Sequence, residues 1–393
     1  MSPGAERKLL PSILLASSSA LVSLVVVFLA AEIATRIVRP APPTPQDYPW
    51  IIDPSIGYEF KPHAVWRVHW PDISDPPEPL NSEGFRSEDL PLTKSPDEFR
   101  ILALGDSTCF SMLVPREDSW AYLLEQMLNK PPRTKRAEVI NAGVPGYVSY
   151  QALERLKRRG VKYNPDLVVV MVGWNDLELA SYHEWKPRID FAKLGLGALE
   201  LGKDTIAHSR LLALLDTRLR KLRYYSFGLP TTRKDSGEPF NQQALDLFVG
   251  NLEGFRKICA SHGDILAVAV QPTLFEVTPA PDDLNRKLRG LVPYFPLSVR
   301  EWREWNGRYA EAIRQFAKAY PETVLIDPTE AFKASGSLFL DNVHLAPDGN
   351  KLLATEIARI LSERGVLPAE HISSHGQPLP DAVQAPRART GRK

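Results

Sequence analysis

The stretch Phe99-Arg100-Ile101-Leu102-Ala103-Leu104-Gly105-Asp106-Ser107 decides how this chain of 393 residues is read. Ile101–Leu104 is a short apolar run, the pattern of a strand buried on both faces of a parallel sheet. It stops abruptly at Gly105. A serine just past the carboxyl end of such a strand stands where open α/β sheets place their ligands, and a following helix aims its first amides at the same spot. Asp and Ser are also common helix caps. The tripeptide alone therefore leaves cap and nucleophile about equally open, and partners further along the chain must decide.

Working outward, four more apolar, partly β-branched segments alternate with helical stretches: Ala137–Ala142, Leu167–Val172, Ile265–Val270 and Thr323–Ile326. The expected helices are Trp120–Leu128, Tyr150–Arg158, Gln242–Ser261, Arg300–Ala319 and Asn350–Leu361. This alternation predicts a doubly wound α/β domain with a five-stranded parallel sheet. The interval Leu177–Gly263 is too long for a crossover and is expected to hold extra helices, among them Thr205–Tyr225. That helix carries a leucine stripe, Leu211, Leu215, Leu219 and Leu222, which is read as covering the domain's own core.

Several strand ends carry residues that an apolar core would not want. Beyond the first lies Gly105-Asp106-Ser107, beyond the second Asn141-Ala142-Gly143-Val144-Pro145-Gly146, and beyond the third Gly173-Trp174-Asn175-Asp176. After the fifth comes Asp341-Asn342-Val343-His344. In a parallel sheet all carboxyl ends open on one edge, so these residues can converge. The set contains every part of a serine-hydrolase site. The Ser107 hydroxyl is a weak nucleophile until a base takes its proton, and His344 can be that base. Asp341 can hold the imidazole by its other nitrogen and stabilise the imidazolium. The amides of Ser107 and Gly143 and the side-chain amide of Asn175 can serve as oxyanion donors.

On these residues the chain resembles the SGNH/GDSL-type hydrolases, whose four blocks are carried by Ser, Gly, Asn and His. All four occur here in family order, over about residues 99–360. The family's usual leucine after the serine is Thr108. The resemblance implies a flavodoxin-like three-layer α/β/α fold, action on esters of lipids, sugars or small acyl groups, and no metal or other cofactor. Some members transfer the acyl group to another hydroxyl. An O-acyltransferase acting on a sugar or envelope polymer is thus the first alternative, and a catalytically silent tethered binding domain the second.

The flanks carry their own signals. Positions 9–31 hold no charged residue, which predicts a single-pass membrane anchor in residues 1–36, with the body of the chain on the outer face. Residues 37–96 are proline-rich and read as a spacer and extension. Trp50, Tyr58, Phe60, Trp66 and Trp70 are expected in short extended pieces laid against the domain. The turn Asn81-Ser82-Glu83-Gly84-Phe85-Arg86 takes no function from its chemistry. Residues 97–365 are assigned to the catalytic domain with its insertion at about 177–263, and 366–393 to a polar basic tail. Lys+Arg 48 against Asp+Glu 47 gives no bias toward nucleic acid. Two cysteines, Cys109 and Cys259, form neither a disulfide framework nor a metal signature.

Overall fold

All eight residues of strand β1 (Glu98–Gly105) are buried, as expected of a central strand covered on both faces. The computed structural model describes residues 3–38, 49–53, 56–66, 69–70, 73–74, 78–131, 135–181, 209, 211, 237–278 and 297–368. The main sheet continues with β2 (Arg136–Asn141), β3 (Leu167–Met171), β4 (Ile265–Ala269) and β5 (Val324–Ile326). Its strands are all parallel and lie in the order β5-β4-β3-β1-β2. Read from the β2 edge this is 2-1-3-4-5, the flavodoxin-type order, whose direction reverses between β1 and β3. Open α/β sheets bind ligands at the carboxyl ends flanking such a reversal. Here those ends are Gly105 and Met171, paired in register.

Among the described residues the main helices are α1 (Pro3–Val38), α2 (Ser107–Phe110), α3 (Trp120–Leu128), α4 (Ser149–Arg158), α5 (Trp174–Ala180), α6 (Gln242–His262), α7 (Val299–Ala319) and α8 (Pro347–Glu363), with a short helix Thr329–Phe332 before α8. Strand periodicity sorts the core into two layers. Leu102, Leu104, Val168 and Val170 face α4 to α7 through Leu153, Leu177, Phe248, Phe255 and Tyr309. Ile101, Ala103, Val169 and Met171 face α3 and α8 through Trp120, Leu124, Leu353 and Ile357. Each such fully buried large apolar side chain contributes roughly 1.5–3 kcal/mol.

The proline-rich extension builds a third, smaller core. Trp50–Asp53 and Gly57–Phe60 pair antiparallel, as do Val65–Trp66 and Glu78–Pro79. Phe60, Trp66 and Leu80 pack on Phe110, Val144 and Tyr147, residues that follow β1 and β2. The Tyr58 hydroxyl donates to the Pro145 carbonyl at 2.7 Å, and the Tyr147 hydroxyl to the Tyr58 carbonyl at 2.6 Å. These pieces lie against the domain.

The membrane anchor expected over residues 9–31, and the membrane localisation that rests on it, are corrected. Among the described residues no helix is long and apolar enough to cross a membrane. Helix α1 runs over Pro3–Val38. Glu32 is buried and tied to protein. Its carboxylate accepts from Ser209 Oγ and Leu211 N, both at 2.8 Å, and pairs with Arg36 at 2.7 Å. Apart from Ser209 and Leu211, the expected helix Thr205–Tyr225 lies outside the described residues. So do 182–208 of the insertion and 369–393 of the tail.

The sheet reversal leaves no room beside Gly105. A Cβ there would sit 2.0 Å from the Met171 carbonyl oxygen and 2.7 Å from Cys109 Cβ. Gly105→Ala is therefore expected to cost at least about 3 kcal/mol, the upper end for an overpacked core. Gly250, mid-helix in α6 with nothing within 4 Å, is the control. There Ala should add about 1 kcal/mol. Denaturant midpoints of the two variants check both signs.

Candidate active site

Asp106 caps the short helix α2 that begins with Ser107. Its Oδ1 accepts from Thr108 N at 2.9 Å and Thr108 Oγ1 at 2.7 Å. The Gln271 amide, just beyond β4, donates to both Asp106 oxygens at 2.9 Å. Burial pushes the Asp106 carboxyl above the usual aspartate range, and these hydrogen bonds only partly offset it. Cap and nucleophile are thus not rivals. Asp106 caps, and Ser107 is left to present its hydroxyl.

The second part of the site is a turn closed by the bridge Phe339↔Leu345 and by Leu340 N–H donating to the His344 carbonyl at 2.8 Å. Asp341 Oδ1 accepts from the backbone N–H groups of Val343 and His344 at 2.9 and 2.8 Å. Its Oδ2 lies 2.6 Å from His344 Nδ1, and His344 Nε2 lies 2.7 Å from Ser107 Oγ. Burial works against an ionised Asp341. The His344 charge and hydrogen bonds, with the two backbone donors, still hold its carboxyl below the usual range. An ionised Asp341 can only accept, so the imidazole proton belongs on Nδ1. That leaves Nε2 to accept from the Ser107 hydroxyl.

Gly143 and Asn175 come in from the ends of β2 and β3. A Cβ at Gly143 would lie 2.6 Å from Phe110 N, so only glycine fits against α2. Its N–H donates to Asn141 Oδ1 at 3.1 Å. Asn175, in the first turn of α5, donates one amide hydrogen to the Tyr147 carbonyl at 2.9 Å and has a second to give. The structure thus joins Ser107, His344 and Asp341 in one hydrogen-bonded chain. Among the described residues no hydrogen bond ties Gly143 or Asn175 to it. No group of three or more His, Cys, Asp or Glu among the described residues could hold a metal ion. Burial, with the Asp106 charge adding to it, raises the Cys109 thiol far above its ordinary value, so that sulfur is inert.

Comparison with known proteins gives the same outline. The family described as GDSL-like lipase/acylhydrolase matches residues 103–352. The chain belongs to this family. It is accordingly an ester-bond hydrolase. No curated protein matches it. Among solved structures it is similar to the acetyl xylan esterase AlAXEase (18% identity, TM-score 0.40, covering 66% of this chain and 98% of that one). It is also similar to the acetylxylan esterase Axe2 from Geobacillus stearothermophilus (15% identity, TM-score 0.40, 67% and 94%) and to TesA (16% identity, TM-score 0.40, 68% and 99%).

Two supporting residues of this GDSL-type hydrolase take roles that the sequence alone does not assign, though Asp176 stands in the third block. Gln271, besides holding Asp106, accepts from Trp174 N at 2.8 Å. One amide side chain thereby fixes both the serine turn and the start of the helix that carries Asn175. The available signal was a polar residue closing an apolar strand, immediately before Pro272. The second is Asp176, which accepts from Ser149 N at 2.9 Å and Ser149 Oγ at 2.5 Å, so β3's end caps α4.

Burial, reinforced by the charge of Asp106, pushes the Asp176 carboxyl up to about 7 against the hydrogen bonds from Ser149. Between the ordinary 3.8 and about 7 the unfolded chain is ionised here while the folded one keeps its proton. Asp176 therefore makes stability fall as pH rises through that window and level off above it. Asp176→Asn still accepts from Ser149 and has nothing to titrate. Melting curves of parent and variant from pH 4 to 8 should diverge in slope up to about pH 7 and run parallel above. Parallel curves throughout would show that Asp176 is ionised at all these pH values.

Proposed function

We propose that this hydrolase cleaves carboxylic esters through an acyl-enzyme on Ser107, with His344 as base and acid and Asp341 as its orienter. The observation that carries this reading is the unbroken chain Ser107 Oγ–His344 Nε2 at 2.7 Å and His344 Nδ1–Asp341 Oδ2 at 2.6 Å. As Ser107 Oγ attacks the ester carbonyl carbon, its proton passes to His344 Nε2 and the imidazolium is stabilised by Asp341. The tetrahedral intermediate collapses when Nε2–H protonates the leaving alkoxide, which departs as an alcohol. Water then repeats the cycle in reverse: His344 takes its proton, the hydroxide attacks the acyl carbon, and Ser107 Oγ leaves with the proton from Nε2.

Negative charge on the carbonyl oxygen is met by the N–H of Ser107, by the N–H of Gly143, shared with Asn141 Oδ1, and by the second amide hydrogen of Asn175. Placement of these residues at the ends of three adjacent strands supports that assignment, because β2, β1 and β3 open on one edge. The catalytic unit of this reading is residues 97–365.

Ser107→Ala is expected to lower kcat on an activated ester by on the order of 10⁴–10⁶ and to abolish fluorophosphonate labelling, at unchanged melting temperature. Near-normal turnover would remove Ser107 from the chemistry. Asn175→Ala should lower kcat by about 10²–10³ with KM nearly constant, because the donor acts only once the oxyanion forms. A variant destabilised by about 1 kcal/mol with normal kcat would make Asn175 a cap and nothing more.

A further inference from the structure

The turn Asn81–Arg86 ends in a buried guanidinium whose donors all go to defined acceptors. Arg86 Nη1 donates to the carbonyls of Phe110 and Ser111, both at 2.8 Å. Nη2 donates to the Val114 carbonyl at 2.6 Å and to Glu78 Oε2 at 2.7 Å, and Nε faces the same carboxylate at 3.2 Å. The guanidinium carbon lies 4.7 Å from the Phe110 ring centre. Three of these acceptors lie on Phe110, the last residue of α2, and on the turn Ser111–Val114 that leaves this helix, which begins with Ser107.

That exit is a strained piece of backbone. Ser111 and Leu113 both have positive φ, +58° and +77°, a conformation costly to L-residues and most of all to a bulky one such as Leu. Such a path persists only where its surroundings over-determine it. Ser111 N–H reaches the Thr108 carbonyl and Met112 N–H the Ser107 carbonyl, so a shift in the turn carries straight to Ser107. The fork of Arg86 pins the turn on either side of Leu113.

The approach of Arg86 is built to match. Asn81 Oδ1 accepts from Glu83 N and Phe85 N, and Gly84 has φ +70° where a Cβ would lie 2.8 Å from the Phe60 carbonyl oxygen. Phe85 is fully buried, and Arg86 N donates to the Asn141 carbonyl at 2.9 Å. Each named residue of the turn has a physical task, and together they deliver the guanidinium.

We propose that Arg86 is a positioning residue for Ser107, holding the strained turn after α2 so that the hydroxyl stays in line with His344. This rests on the acyl-enzyme reading above. Arg86 touches no reacting atom. Lysine has one compact head and cannot satisfy three carbonyls and a carboxylate at once.

The test is pre-steady-state hydrolysis of an activated nitrophenyl ester by the full chain, with Arg86→Lys and Arg86→Met beside Ser107→Ala. Positioning predicts a burst of full amplitude whose rate constant falls tenfold or more, toward the roughly 10²-fold that a 1 Å misplacement costs, with KM little changed. Lys should retain more of the rate than Met. A purely structural role predicts reduced amplitude at the parent's burst rate, and that result overturns the inference. Failure of both Arg86 variants to fold overturns it as well, since it assigns Arg86 to stability. If Ser107→Ala keeps its burst, the acyl-enzyme reading itself is lost. If Ser107→Ala is silent and Arg86→Lys bursts at the parent's rate, only Arg86 is misassigned.

Discussion

The approach of the Gly105 backbone to the Met171 carbonyl is the constraint on which the rest of the molecule turns. With no side chain between them, the carboxyl ends of β1 and β3 close to hydrogen-bonding distance at the point where the strand order reverses. The chain leaving β1 must then turn sharply into α2, which carries Ser107, while the chain leaving β3 turns into α5, which carries Asn175. Gln271 from the next strand bridges both turns, donating to Asp106 and accepting from Trp174 N. A displacement at the reversal would therefore move Ser107 and the Asn175 side chain together.

Electrostatics divides the aspartates that ring this edge by what surrounds each one. Asp341 faces His344 and two backbone donors, and ionises despite burial. For Asp106 and Asp176 burial outweighs the hydrogen bonds they accept, and both are pushed toward the protonated form. The carboxylate bonded to His344 is thus the one of the three that keeps its charge most readily. The other two serve as caps, for α2 and α4, where hydrogen bonding matters more than net charge.

Much of this was legible in the sequence because it rests on local pattern. Buried parallel strands read as uninterrupted apolar runs, so all five were located to within a residue or so of their ends. Ser107, Gly143 and Asn175 stand out as polar or glycine positions just past the end of an apolar strand, and Asp341 and His344 as a pair on one turn beyond the fifth strand. Gln271 and Arg86 were not legible. Their partners are backbone atoms and a cap far away in sequence, 165 residues for Gln271 and Asp106, and no periodicity encodes such a pairing. The apolar run at 9–31 misled for the opposite reason. Composition alone cannot register that Glu32 is held by Ser209 and Leu211.

The bond between His344 and Ser107 spans 237 positions of the chain. On a ribosome adding about 5–20 residues each second, Ser107 is made on the order of ten to fifty seconds before His344. In that interval β1, β2 and β3 can already pair, and Asp106 can already hold α2, yet the Ser107 hydroxyl lacks its hydrogen-bond partner. On the acyl-enzyme reading proposed above, a copy that stops short of His344 carries Ser107 without its base.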